Sequence, residues 1–519
     1  MSVTREERQF NEDCIQDPAK GIGNSVRAEA LSISESRNYC DNGEETSDNH
    51  TGSLSAYEAE NTMAKLSSIP IANGKPSNQN DIIPLNRAKT RFMSPKLRKQ
   101  RKKVLFRFVP TNVTLAAFVL SVLSIYWGAE YRESHFIHKV NILTVIQDES
   151  SSVSPTLVEN LPSIIEGLPC TWHIYNASEY QKQRKINATE INSEVIRQIY
   201  REKYWMALNV KPNATDYFYS SLTNSSVEPF NFTKYFQVVY ETGREPLNMK
   251  PTILPHMQSL ETLYQNYIST KYLPNMLSNI NGSVVPKNII GASKVNFDYM
   301  DYRPWTNPTV QSPLQVGMIY CLILTFFQIG FYGPLHKEMA QLLKPRSMIV
   351  YRICISFGTY FILSLFFCTI SAMFQVDFKA AFGRGGFVVY WMSTWLLMTA
   401  LGGANENVAS LAIAFCPQYM GCWLMFWIIS NIAPSFYPMV IHSSFYRYGY
   451  MMPIHNALDI YKVIFLNTSK HTLGRNYGIL CAWVGVNTSL FPFVMMIVGK
   501  KMEKVAKASA AAQKERGKE

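Results

Sequence analysis

Residues 314–499 restrict this chain more than any other stretch. Nearly all of it is apolar, and several windows reach the roughly 20 apolar residues that an α-helix needs to cross a bilayer. Five spans can be drawn there, at 314–335, 348–374, 387–403, 408–432 and 477–498. One soluble core helix can be this apolar, but five in succession with so few charges argue for a membrane. An earlier span at 104–129 is interrupted near its start by Arg107 and Pro110 and ends in Tyr126 and Trp127, as an interfacial belt would. The expected fold is an α-helical polytopic membrane protein with one plus five transmembrane helices.

Charge fits this organisation. The chain carries 50 Lys and Arg against 38 Asp and Glu, an excess that in a soluble protein would suggest nucleic acid. Its densest basic run is Arg87, Lys89, Arg91, Lys96, Arg98, Lys99, Arg101, Lys102 and Lys103. That run stops where the first apolar span begins, which is a topology signal and not a base reader, so no nucleic-acid partner is expected. Such a run also attracts anionic lipids, at about 1 kcal/mol per basic residue near the surface. The tail 500–519 is basic too, with Lys500, Lys501, Lys504, Lys507, Lys514, Arg516 and Lys518, so both termini are expected in the cytoplasm. Residues 1–80 are rich in Ser, Asn, Glu and Asp, poor in aromatics and without sustained periodicity, and are expected to be disordered. No apolar core closely follows Met1, so the first span is expected to serve as an uncleaved anchor. The domain map is a disordered tail (1–86), a basic stretch with the first helix (87–129), an ectodomain (130–311), a five-helix membrane domain (312–499) and a basic tail (500–519).

The ectodomain is polar and aromatic-rich and holds sequons at Asn176, Asn187, Asn213, Asn224, Asn231 and Asn281. Their clustering predicts exposure to a glycosylating compartment. Sequons at Asn49, Asn112 and Asn487 fall in cytoplasmic or membrane positions and represent the chance background. Residues 140–147 and 204–210 look like buried strands, and 252–271 has helical spacing through Leu254, Met257, Leu260, Leu263 and Tyr264, so a mixed α/β domain is expected. Cys170 is its lone cysteine, which excludes an internal disulfide there and leaves a free or intermolecular thiol.

Two places could carry chemistry. Gly402-Gly403-Ala404-Asn405-Glu406-Asn407 is a polar cluster between apolar stretches. Asn405, Glu406 and Asn407 are either a costly, functional group at membrane depth or a hairpin turn at the water interface. Pro417, in the following span, is expected to kink its helix and free a carbonyl. Downstream, Pro453 suits a first helical turn, with Ile454, Ala457, Leu458, Tyr461 and Phe465 on one face and His455, Asn456, Asp459 and Lys462 on the other. This predicts a short helix at the outer interface, either a lid over a pathway or a structural plug. The chain has no phosphate-binding loop, no paired-Cys zinc spacing, no H-E-x-x-H and no G-x-S-x-G. No enzymatic activity, cofactor or metal is expected.

Several stretches together resemble the fungal nitrosoguanidine-resistance membrane proteins and, more distantly, bacterial YhgE/Pip-type proteins and ABC-2-type exporter membrane domains. They are the strand at 140–148, Tyr204-Trp205-Met206-Ala207-Leu208 followed by Pro212-Asn213-Ala214-Thr215, and Val239-Tyr240-Glu241-Thr242-Gly243-Arg244. Tyr302-Arg303-Pro304, Gln315-Val316-Gly317-Met318-Ile319-Tyr320 and the Met452-Pro453 helix complete the set. The resemblance implies a plasma-membrane protein, or alternatively one of the endoplasmic reticulum, that contributes to drug or chemical resistance. It would export amphipathic small molecules or lipids, or modulate lipid distribution. The alternative is a non-transporting scaffold or regulator that binds partners or lipids through its ectodomain and basic termini. Membrane lipids are the expected partners, with a small amphipathic substrate or a second copy of the chain as further candidates.

Overall fold

Helix α1 (Arg98–Glu130) begins inside the basic run and continues without a break through Pro110 and the apolar span. A proline is tolerated within a membrane helix because local adjustments and neighbouring side chains re-satisfy the freed backbone. The computed structural model describes Met93, Pro95 and residues 98–516, apart from 150, 152 and 281–283. The tail expected to be disordered, the basic residues Arg87, Lys89, Arg91 and Lys96, Lys518 and the sequon at Asn281 lie outside the described residues.

After α1 the chain forms a five-stranded mixed sheet in the order β2-β1-β3-β4-β5. The strands are β1 (Asn141–Ile146), β2 (Thr171–Asn176), β3 (Met206–Val210), β4 (Phe236–Tyr240) and β5 (Asp298–Asp301). β1 runs parallel to both β2 and β3, β4 is antiparallel to β3, and β5 is parallel to β4. β1 and β3 are the two strands expected from their apolar runs, and every residue of β3 is buried, as a central strand covered on both faces requires. Helices α2 (Ile191–Tyr200), α3 (Ala214–Thr223) and α4 (Leu254–Tyr267) are the longest of the helices between its strands. Ile142, Leu208, Phe218, Phe236 and Tyr264 are fully buried at its centre. Cys170 is free and buried, and burial pushes its thiol up to about 12, so it acts as a packing residue. The described sequon residues Asn176, Asn187, Asn213, Asn224 and Asn231 are all exposed.

The apolar half forms α5 (Val316–Leu342), α6 (Pro345–Met373), α7 (Gly386–Phe415), α8 (Met420–Ile432), α9 (Pro453–Leu466) and α10 (Leu473–Arg516). Among the described residues, five helical runs are long and apolar enough to cross a membrane, and they contain α1, α5, α6, α7 and α10. The chain is therefore a polytopic α-helical membrane protein with a mixed α/β region beside its first helix.

Two sequence expectations are corrected here. The break predicted at 404–407 does not exist, because α7 is one 30-residue helix running straight through Glu406. Gly402 and Gly403 are not turn residues. They leave room for neighbours, since a Cβ on Gly402 would lie 2.3 Å from the Tyr360 hydroxyl and one on Gly403 would lie 2.7 Å from Asn487 Cβ. Nor does Pro417 kink a span. It opens the 3-10 turn Pro417–Tyr419 that joins α7 to α8, a first-turn position where its missing N–H costs nothing. What remains of the expected fifth span is α8, 13 residues and about 20 Å long at 1.5 Å per residue.

Candidate functional site

The polar residues of α7 meet partners on four neighbouring helices. Arg352 of α6 places Nη2 3.0 Å and Nε 3.1 Å from Glu406 Oε1, while Ser356, one turn along α6, donates to Oε2 at 2.7 Å. Arg352 also lies over the Phe491 ring of α10, at 5.2 Å from its centroid, and Nη2 reaches Ser410 Oγ at 3.4 Å. On α5, Gln328 accepts from the Tyr360 hydroxyl at 2.9 Å. Asn405 donates to Thr325 Oγ1 at 3.0 Å and accepts from the Trp423 indole of α8 at 3.0 Å. Asn407 donates to the Asn487 carbonyl of α10 at 3.1 Å, and Asn487 in turn donates to the Ala400 carbonyl at 3.1 Å. Arg352 and Glu406 are 8% and 6% exposed, so this is a buried ion pair whose charges are met by each other and by hydroxyls.

The second cluster lies where the α/β domain meets the bundle. After β4 the chain turns at Gly243, whose N–H donates to the Arg303 carbonyl at 2.8 Å. A Cβ there would lie 2.8 Å from that carbonyl and 3.3 Å from Leu466 Cβ of α9, so glycine permits the close approach. This brings Glu245 against α9, where Lys462 reaches it at 3.5 Å. Burial raises the Glu245 carboxyl, and Lys462 pulls it back down. Arg244 donates to the Tyr204 carbonyl at 2.8 Å and stacks 3.7 Å from the Trp205 ring centroid. The apolar face of α9 packs into the bundle core through Ile454, Ala457, Leu458, Tyr461 and Phe465, while its polar face borders an open cavity of about 440 Å³.

Five basic side chains line that cavity: Lys139, Arg244, Arg447, Lys462 and Arg475. Three carboxylates, Glu202, Glu245 and Asp459, face them, which leaves two positive charges in excess. Three histidines line it as well. His442 is 2% exposed with neither ring nitrogen partnered, and His455 is 9% exposed with Nδ1 unpartnered. Burial, with His455 and Lys139 close by, pushes His442 down to about 4, so its ring is neutral at physiological pH.

The residues singled out from sequence therefore fall in separate places. Asn405, Glu406 and Asn407 belong to the bundle interior, Pro417 to the α7–α8 turn, and Pro453 to the buried start of α9. Only His455, Asp459 and Lys462 line the cavity. Sequence reasoning missed Arg352, Ser356 and Gln328 in the bundle, and Lys139, Arg244, Glu245, His442, Arg447 and Arg475 at the cavity. Two signals pointed to them. Arg352 is a lone charge within an apolar span, and Arg447 and Arg475 are basic residues in a stretch that the expected topology puts on the side where the positive-inside bias predicts few. Among the described residues no group of His, Cys, Asp and Glu could hold a metal ion.

Comparison with known proteins places the chain. It is 48% identical over 434 residues to an uncharacterized endoplasmic reticulum membrane protein of Saccharomyces cerevisiae, covering 81% of this chain and 85% of the relative. That finding overturns the plasma-membrane expectation. No solved structure matches significantly. The resemblance to nitrosoguanidine-resistance proteins, YhgE/Pip-type proteins and ABC-2 exporters is also corrected, because the matches lie elsewhere and neither description mentions transport or resistance. A shared order of apolar spans would not decide the matter, since bilayer thickness imposes similar spans on unrelated membrane proteins. Residues 111–489 match the family described as "Protein of unknown function (DUF3533)", and the chain belongs to that family.

Proposed function

We propose that this chain is an endoplasmic reticulum membrane protein that acts as a non-transporting scaffold or regulator, binding lipids or partners at the face where its ectodomain meets the membrane. The main support is the bundle interior. Glu406, Arg352, Ser356, Gln328, Tyr360 and Asn405 are engaged with one another or with neighbouring helices, which suits a closed structural seam better than the wall of a passage. The reticulum placement follows the yeast relative. In this reading α1, α5, α6, α7 and α10 cross the membrane and α8 makes a short sixth crossing with the residues after it. Both termini are then cytoplasmic, and the ectodomain is lumenal and glycosylated at the six sequons.

Three measurements test this. Fluorescently tagged protein should coincide with a reticulum marker, and glycosidase digestion should raise its electrophoretic mobility. Purified full-length protein in liposomes should release a fluorescent amphiphile no faster than protein-free liposomes. Saturable, protein-dependent release would replace the scaffold reading with a transporter.

A further inference from the structure

The cavity between ectodomain and bundle has the features of a ligand site that the scaffold reading leaves unassigned. Its volume of about 440 Å³ is large enough for a lipid headgroup. Its five basic residues outnumber three carboxylates, and two of those carboxylates are already engaged, Glu245 by Lys462 at 3.5 Å and Glu202 by the nearby Arg244 charge. Arg447 has no hydrogen bond or ion pair among the described residues, and Arg475 hydrogen-bonds only the side chain of its neighbour Asn476, at 3.3 Å, and lies 5.7 Å from the Tyr450 ring centroid. Donors are therefore left over. His442 and His455 line the same space and keep buried ring nitrogens without a partner, and an unsatisfied buried polar atom in a native protein calls for one. A neutral imidazole still supplies one N–H donor.

Position narrows the ligand. The lining includes Ser435 just past α8, the polar face of α9 and Thr472 and Arg475 at the start of α10, so the cavity sits at the level of the helix ends on the ectodomain side. Headgroups occupy that level. The segment Ser444–Met451, which contributes Arg447, also exposes Phe445, Tyr450 and Met451 at its surface, an apolar shoulder against which acyl chains can lie. We propose that the cavity binds the phosphate headgroup of an anionic glycerophospholipid from the leaflet that meets the ectodomain. Guanidinium groups of Arg447 and Arg475 contact the phosphate oxygens, which suit their planar forks, and His442 and His455 donate from the cavity wall. The inference rests on the lipid-binding part of the scaffold reading, but not on the absence of transport.

The test uses full-length protein in neutral detergent and a fluorescent short-chain phosphatidic acid as probe, with the phosphatidylcholine analogue as control and glycerol 3-phosphate as competitor. Phosphatidic acid should bind saturably and the choline lipid should not. Arg447→Gln and Arg475→Gln should each weaken binding by about tenfold, the loss expected for one charge-assisted hydrogen bond. Arg447 is exposed, so its variant remains folded and keeps the test informative even if other cavity variants do not. Equal binding of both lipids, or unchanged affinity in both variants, would overturn the proposal. Binding of glycerol 3-phosphate as tight as that of the lipid would overturn the lipid source and assign the site to a soluble phosphate ester. Transport in the liposome assay alongside selective lipid binding would remove the scaffold reading and leave this site standing.

Discussion

The bundle interior and the junction cavity contain the same unusual ingredients, buried acids and bases in a largely apolar protein, yet they are put together differently. In the bundle, Glu406 receives Arg352 on one oxygen and Ser356 on the other, and side chains from four other helices close around α7. At the cavity, the Glu245–Lys462 pair is matched, but Arg447 is unpaired and the rings of His442 and His455 keep free nitrogens. Burial alone therefore does not separate structure from site. Whether each polar atom already has a partner is the better criterion, because burial without one costs free energy that only a ligand or water can recover.

That contrast can be broken or sharpened by substitution. The largest effect is expected from Glu406→Gln, which leaves the Arg352 charge buried without its counterion and should cost about 3–5 kcal/mol. Thermal unfolding in detergent would register this, and replacing Arg352 by Met in the same chain should recover part of it. If E406Q melts like the unmodified protein but loses lipid binding, the seam belongs to a site and the contrast fails. Gly402→Ala should come next, because its methyl group displaces Tyr360 from Gln328, an overpacking cost of about 1–3 kcal/mol visible as a lower Tm.

Glu241, three residues before the cavity residue Arg244, tests the opposite sign. Burial raises its carboxyl from 4.5 to about 8, and neither oxygen has a partner. The folded state thus favours the protonated form, so the stability this group gives below pH 4.5 is lost as pH rises through about 8. Glu241→Gln should leave Tm nearly unchanged at or below pH 4.5 and raise it increasingly towards pH 8, by an amount worth about 1–3 kcal/mol. A Tm gain that is the same at both pH values would show that ionisation is not the cause. The smallest effect on stability belongs to Arg447→Gln, which should stay within about 0.5 kcal/mol while weakening anionic lipid binding. A large loss of stability would mean that this guanidinium holds the fold together.

Much of the fold is legible in the sequence wherever one physical requirement dominates. The apolar lengths of α1, α5, α6 and α10, and the buried runs of β1 and β3, follow from composition and periodicity. β2, β4 and β5 were not anticipated, since β2 is a half-buried edge strand and β5 is the short, acid-flanked Asp-Tyr-Met-Asp. The error at 402–407 has a definite cause. Two glycines followed by three polar residues are turn chemistry in isolation, and only the tertiary partners Tyr360, Asn487, Arg352 and Thr325 make the same residues helical. For the cavity, the amphipathic α9 was readable and its polar face does border the space. Arg244 and Glu245, some two hundred residues earlier, reach that space only through the sheet, which no local pattern encodes.

α8 has a consequence for how the protein is made. A 13-residue helix falls well short of a hydrocarbon layer about 30 Å thick, and the irregular chain after it cannot face lipid, where unpaired backbone is costly. α1 covers that region. Its Ala129 packs with Ala433 and Tyr446, the Tyr446 hydroxyl donates to the Ile125 carbonyl at 2.7 Å, and Tyr437 bonds Glu130. Yet α1 leaves the ribosome some three hundred residues before these partners do. Through most of synthesis it must wait in the bilayer with its docking face unoccupied, and the bundle stays unsealed until nearly the whole chain has emerged. Membrane insertion of the first helix and completion of the fold are thus events at opposite ends of translation, joined where the end of α1 meets the segment after α8.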